Sequence, residues 1–298
     1  MNPYLALPSA VALFVALAYA LDACLCLGFG KLFRKLGASI RSLPASFTAV
    51  ATACMFAPLA SLYLTSIACG IQSEFLSFLL SWLRIDVRVL TVFLLAPLPP
   101  IAALIVFIEV GKRLGILDTA KLRELVGSES LASAKGLRLI GVGYVAGASI
   151  NALVAIGEEI GWRAYLTPAL INYIGLAGAI IAVGIIWGLW HMPIVVALKP
   201  LIERELPWAT PKLIALNYVA SCIALSYPLY LLLATTHSVL PPAAFHGTMN
   251  ALWRLPQFVI RATESRRRDM ARIAIASASS LGSAIAITQA IAVIATHI

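Results

Sequence analysis

The chain has 298 residues, of which 61% are hydrophobic and only 12% charged, with a formal net charge of +9. Soluble domains carry about 25% charged residues, so an ordinary soluble domain is excluded and a polytopic membrane protein is implied. The basic excess lies in short segments between apolar runs, where it reads as a topology signal and not as a nucleic-acid surface.

A membrane helix needs about 20 mostly apolar residues. Eight runs qualify, at roughly 4–28, 46–69, 88–110, 139–166, 174–197, 212–235, 240–260 and 273–296. The expected fold is all-α: a polytopic membrane helical bundle of about eight spans, forming a single domain over 1–298. In the first run, "AYA" at 18–20 has the form of a signal-peptidase site, but no basic residue precedes it and the run is about 25 residues long, so an uncleaved span is expected. Pro193, Pro228, Pro241, Pro242 and Pro256 interrupt the fifth to seventh runs, and the polar stretch 111–137 is a connecting segment with partial helical character.

The basic residues fall into alternate loops. Lys31, Arg34, Lys35 and Arg41 occupy the first; Lys112, Arg113, Lys121, Arg123, Lys135 and Arg138 the third. Lys199, Arg204 and Lys212 follow in the fifth, and Arg261, Arg266, Arg267, Arg268 and Arg272 in the seventh. The intervening loops hold only Arg84 and Arg88. The positive-inside rule then puts both termini outside. Nothing reads as a eukaryotic organelle signal, so a prokaryotic cell membrane is expected.

Among minor features, Cys24, Cys26, Cys54, Cys69 and Cys222 form no C-x-x-C pair and read as small buried hydrophobes. Asp22 and Glu109 read as solvated helix-end or loop groups, and Asn217 is a candidate to face the interior. Arg266–Arg268 read as topology residues, with anionic lipid as a further ligand.

Three polar clusters interrupt the apolar runs. "GEEIGWRAYL", 157–166, carries Glu158, Glu159 and Arg163. A charge at the bilayer centre costs roughly 2.5–3.5 kcal/mol on insertion scales, so ionisable groups there are functional candidates. Glu159 and Arg163 stand i,i+4 on a helix, while Glu158 points about 100° away. Arg163 therefore neutralises one carboxylate and leaves the other for chemistry. "WGLWHMP", 187–193, sets His191 one turn after Trp187, and "AFHGTMNAL", 244–252, pairs His246 with Asn250 at i,i+4. Each alone is as well explained by helix packing or interface anchoring. Three such groups on three spans can converge on one wet cavity.

Peptide hydrolysis by water needs a base and donors aimed at the developing oxyanion. Glu158 with His191 can hold and deprotonate the water, and His246 and Asn250 carry N–H donors for an oxyanion hole. Glu-Glu-x-x-x-Arg, then aromatic-x-x-x-His, then His-x-x-x-Asn, each on its own run, resembles the CAAX-protease and bacteriocin-processing (CPBP) family. This is the type II CAAX prenyl endopeptidase-like group of intramembrane proteases. The resemblance covers 140–255, taken as a catalytic four-helix core flanked by 1–137 and 261–298. It implies a glutamate-dependent endopeptidase with Glu158 and His191 activating water. His246 and Asn250 then stabilise the oxyanion, while Glu159, Arg163 and Trp187 orient the site. Trp187 stands where the family often has phenylalanine, a departure expected to leave catalysis intact.

No cofactor is expected. There is no H-E-x-x-H motif, and if zinc were held its ligands would be Glu158, His191 and His246. The partners expected are a peptide or membrane-protein substrate and the lipid bilayer, with no nucleic acid. Neither prenylation of the substrate nor the oligomeric state follows from the chain. Two other functions compete: a catalytically silent scaffold or immunity-type protein on the same fold, and a proton-coupled transporter using the same buried groups as a relay.

Overall fold

The computed structural model describes residues 7–35, 45–200, 203, 210–261 and 266–298. Arg41 and Arg204 lie outside the described residues, as do the side chains of Lys31, Arg34, Lys35, Arg266 and Arg267. The described residues form helices, with one isolated β-bridge between Leu117 and Ile260.

Helix α1 spans Pro8–Lys35 and packs on α3, Ala57–Ala68. Helix α2, Ala45–Met55, meets α3 at a bend of 41°, where Phe56 interrupts the run and Pro58 falls in the first turn of α3. Proline tolerates that position because its missing N–H has no intrahelical partner there. The short α4, Phe75–Trp82, precedes α5, Val87–Leu95, whose first turn is capped by Asp86 accepting from the Val89 N–H at 2.8 Å. Prolines at 97, 99 and 100 separate α5 from α6, Leu98–Arg113. In the polar connection, α7, Thr119–Val126, is capped by Asp118 and closed by Gly127 at φ 76°. The Lys121 N–H holds the half-buried Asp118 carboxyl below the ordinary aspartate range.

Helices α8, Ala134–Ala146, and α9, Ala152–Glu159, are separated by a π-helical turn at Gly147–Asn151, and a second π turn covers Ile160–Leu166. Helix α10, Thr167–Trp190, follows, then α11, Met192–Ala197, with His191 between them and Pro193 starting α11. Helix α12 spans Pro211–Thr236, α13 Leu240–Leu252, α14 Arg254–Val259 and α15 Arg266–Ala295. Pro241 and Pro242 sit in the first turn of α13 and so start that helix without kinking it.

By length and hydropathy, five helical runs among the described residues can cross a membrane, or six with α2 and α3 as one bent span. This is an integral membrane bundle, though that count falls short of eight. One reason is that Ala134–Ala197 passes as a single run of 64 residues. It turns back at Gly175, whose φ of 68° and ψ of 173° no helix contains. The Trp162 and Trp190 rings lie 5.9 Å apart across that turn, whereas a straight helix would separate them by about 42 Å. Helix α13, at 13 residues, is too short to cross alone.

The return limb α10 is held by Gly184 and Gly188, a G-x-x-x-G pair. A Cβ on Gly184 would stand 2.4 Å from the Ile223 Cα, and one on Gly188 2.5 Å from the Val219 Cα. Small residues at this spacing let two membrane helices touch backbone to backbone, which fixes α10 against α12 and hence aims Trp187 and His191. The core between α1 and the second π turn is aromatic, with Phe14 edge-on to both Trp162 and Tyr165.

Three sequence expectations change. Asp22 is not at a solvated helix end: α1 continues past it and the residue is 2% exposed, with Cys26 and Cys54 beside it. The cysteines are not all buried either: Cys24 is exposed and Cys69 half-buried. Asn217 is exposed, and its neighbour Tyr218 faces inward instead. Glu109 is as expected, ion-paired with Lys112 at 2.7 Å near the end of α6.

Candidate active site

Glu158 and Glu159 close α9 just before the second π turn, and both are buried. Arg163, within that turn, has no exposed surface. Its Nη1 donates to Glu159 Oε1 at 3.2 Å, the i,i+4 pair read from the sequence. The guanidinium carbon lies 3.9 Å over the centre of the Trp187 ring, an electrostatic contact worth about 0.5–2 kcal/mol.

Glu158 points elsewhere. Its Oε2 accepts a hydrogen bond of 2.6 Å from the Trp187 indole N–H. The tryptophan therefore does what a phenylalanine could not, and its ring and its N–H serve different carboxylate systems. On α13, the His246 Nδ1–H donates to Glu159 Oε1 at 2.7 Å, leaving Nε2 3.9 Å from Glu158 Oε1. One imidazole thus faces both carboxylates, with Glu159 fixing its orientation.

His246 reaches this position because α13 comes very close to the first π turn. A Cβ on Gly247 would lie 2.5 Å from the Gly147 carbonyl oxygen and 2.6 Å from the Ala152 nitrogen. Asn151 seals the contact by donating from Nδ2 to the Gly247 carbonyl at 3.3 Å. The irregular turn, the glycine and the asparagine act as one docking element.

His191 lies at the break between α10 and α11. Its Nδ1–H donates to the Trp187 carbonyl at 2.8 Å, and its ring stacks on Tyr218 at 4.6 Å and 18°. Trp187 is packed against both histidines, with ring separations of 5.9 Å to His191 and 5.4 Å to His246. Among the described residues no hydrogen bond joins His191 to Glu158 or to His246. Asn250, one turn beyond His246, is exposed and directs Nδ2 to the Met55 sulfur at 3.7 Å.

The fold therefore gathers Glu158, Glu159, Arg163, Trp187 and His246 into one contact network. It sets His191 against the far member of that network and leaves Asn250 at its edge. Tyr218 and Asn151, which support His191 and α13, carry no signal in the sequence that separates them from other span residues. Glu159 Oε2, Trp162 Nε1, and Arg163 Nε and Nη2 are buried without a hydrogen-bond partner among the described residues. Of the three residues that would hold a zinc ion, Glu158 and His246 face each other at 3.9 Å, while His191 turns its Nδ1 to the Trp187 carbonyl.

Residues 142–252 match the model of the family described as Type II CAAX prenyl endopeptidase Rce1-like. No curated protein gives a significant match to the chain. The matched segment runs from α8 to the last residue of α13 and contains every residue of the site. It agrees with the CPBP resemblance carried by the three motifs and supports a CAAX-type intramembrane protease, acting on peptides or proteins in a membrane.

Proposed function

We propose, from the similarity of residues 142–252 to type II CAAX prenyl endopeptidases, that the chain hydrolyses peptide bonds with water activated by Glu158. The observation that carries this reading is the placement of His246, bonded to Glu159 at 2.7 Å and 3.9 Å from Glu158. One small tetrahedral centre can touch both Glu158 Oε1 and His246 Nε2 at that separation.

In the first step Glu158 takes a proton from water while the water oxygen bonds to the carbonyl carbon, and the carbonyl electron pair moves to oxygen. His191 orients the water. The oxyanion is met by His246 Nε2–H and, once substrate displaces the Met55 contact, by the Asn250 amide. Catalytic hydrogen bonds of this kind often tighten only in the substrate complex. Collapse breaks the C–N bond, and the proton on Glu158 passes to the leaving amine. Each oxyanion donor contributes about 2.7–4 kcal/mol. Glu159 and Arg163 hold His246 and Trp187 in place and touch no reacting atom. No step requires a metal. The loop charges support a membrane orientation with both termini outside.

The test is cleavage of a membrane-peptide library by purified wild-type protein and by Glu158→Gln, with and without chelator. The wild type is expected to cleave equally in both, and Glu158→Gln to lose about 10²–10⁴-fold. Undiminished cleavage by Glu158→Gln refutes the mechanism, and chelator-sensitive cleavage refutes its metal independence.

A further inference from the structure

We propose that Asp22, Cys26 and Cys54 form a binding site for a thiophilic divalent cation of the zinc type, clamping α1 to α2. This site is separate from the protease site and does not depend on the protease reading.

Asp22 and Cys26 are i,i+4 on α1 and so share one face, and Cys54 comes from α2. Cys26 Sγ lies 3.3 Å from Asp22 Oδ1 and 3.3 Å from Cys54 Sγ. All three residues are buried, and their ligand atoms lie within 4.8 Å of one another. A tetrahedral zinc ion, with Zn–S about 2.3 Å and Zn–O about 2.0 Å, sets S···S at about 3.8 Å and S···O at about 3.5 Å. The protein's two edges come within about 0.5 Å of those values, so small side-chain rotations admit the ion.

A second observation points to a cation. Asp22 is 2% exposed, and its Oδ2 has no hydrogen-bond partner among the described residues. Buried thiols alone need no explanation, because free cysteine behaves as a small hydrophobe. A buried carboxylate with one oxygen lacking a donor does, since the weak thiol donor on Oδ1 leaves Oδ2 desolvated and unpaired. A divalent ion satisfies it directly. Two thiolates, their protons released to solvent on binding, and the carboxylate then leave the site with one negative charge in place of an unpaired anion. The carboxylate makes a third ligand, with water in the fourth position.

The location gives the ion a structural task. Cys54 precedes Met55, whose carbonyl oxygen would lie 2.6 Å from a Cβ on Gly157. Gly157 in turn precedes Glu158. Fixing Cys54 to α1 therefore fixes the backbone wall against which the Glu158 helix rests.

The experiment uses the full chain, purified in detergent under reducing conditions without chelator, then stripped and titrated with Zn²⁺ and Cd²⁺. Wild type is expected to bind one Zn²⁺ per chain, to unfold at higher temperature with Zn²⁺, and to show a thiolate-to-cadmium charge-transfer band with Cd²⁺. Cys26→Ala and Cys54→Ala should each remove the band and weaken Zn²⁺ binding by about tenfold or more. Loss of outer-shell groups alone commonly costs that much. Asp22→Asn should weaken Zn²⁺ while keeping the thiol pair, and Cys222→Ala, a buried cysteine on α12, should bind as wild type. The proposal is overturned if stripped wild type binds neither ion, or if binding survives in the Cys26→Ala/Cys54→Ala double variant. It is also overturned if thiol-blocked wild type yields Cys26 and Cys54 as a disulfide. The wild-type titration decides the matter even if a variant fails to fold.

Discussion

Removing both partners of the Glu159–Arg163 pair should cost no more than removing either one alone. Each side chain has no exposed surface, and they meet at 3.2 Å. Truncating one member of a buried pair costs about 3–5 kcal/mol, because the other is left as an unpaired charge in an apolar interior. Arg163 keeps its contact with the Trp187 ring at 3.9 Å, which offsets only about 0.5–2 kcal/mol. Glu159→Met and Arg163→Met should therefore each destabilise by about 3 kcal/mol or more. The double variant carries no orphaned charge and should fall below the sum of the two by about 3 kcal/mol. Activity should not follow stability. In the double variant His246 has lost the carboxylate that accepts from Nδ1 at 2.7 Å, and a displacement of about 1 Å at a reacting group can cost about 10²-fold. Reversible unfolding in mixed micelles gives the stability cycle, and peptide cleavage gives the rates. Additive costs, or single variants within about 1 kcal/mol of wild type, would refute the account of the pair. Restored cleavage in the double variant would refute the orienting role of Glu159.

Trp187→Phe keeps an aromatic face for Arg163 but loses the N–H donated to Glu158 at 2.6 Å; unfolding measurements should show a loss of about 1.5–3 kcal/mol, the worth of a hydrogen bond to a charged group. Gly247→Ala should reduce cleavage and destabilise by about 1–3 kcal/mol, because its Cβ would meet backbone atoms that cannot yield at 2.5 and 2.6 Å. Gly28→Ala, with nothing within 4 Å of its Cβ, is the matched control and should unfold no more easily than wild type.

Continuous apolar runs made α1, α12 and α15 readable, since hydropathy over about 20 residues is all a simple span requires. The eight residues of α4 were not readable, being too few to give a membrane signal. Pro193 announced the break after α10, because proline starts a helix readily, whereas Pro228, expected to interrupt its run, lies inside the unbroken α12. The two π turns had no such marker: their extra residue is accommodated by what packs against them, and Gly147 reveals its purpose only when Gly247 is seen beside it. The same division runs through the site. The Glu159–Arg163 pair follows from helical spacing alone. The bond from Trp187 to Glu158 does not, because it depends on the reversal at Gly175 and on the depth at which α10 rests on α12. Asp22 departs from its expected place for a related reason. Its position late in the first run suggested an exit from the membrane, but α1 continues to Lys35 and α2 closes over it.

The charges at the site explain why an apolar bundle tolerates them. Two carboxylates and one guanidinium leave one negative charge, and His246 is the titratable group in contact with both carboxylates. A buried cluster with net charge is penalised heavily, while a neutral, well-paired one is not. The four residues are neutral when they share one added proton between His246 Nε2 and Glu158 Oε1, 3.9 Å apart. On the proposed reading, hydrolysis moves one proton from the attacking water to the site and one from the site to the leaving amine. A cluster whose neutrality rests on a single transferable proton ends each turnover with the charge it began with. Without Arg163 the count would be short by one, and without Glu159 it would be over by one. The Glu159–Arg163 pair is thus part of the proton balance of the reaction as well as of the packing.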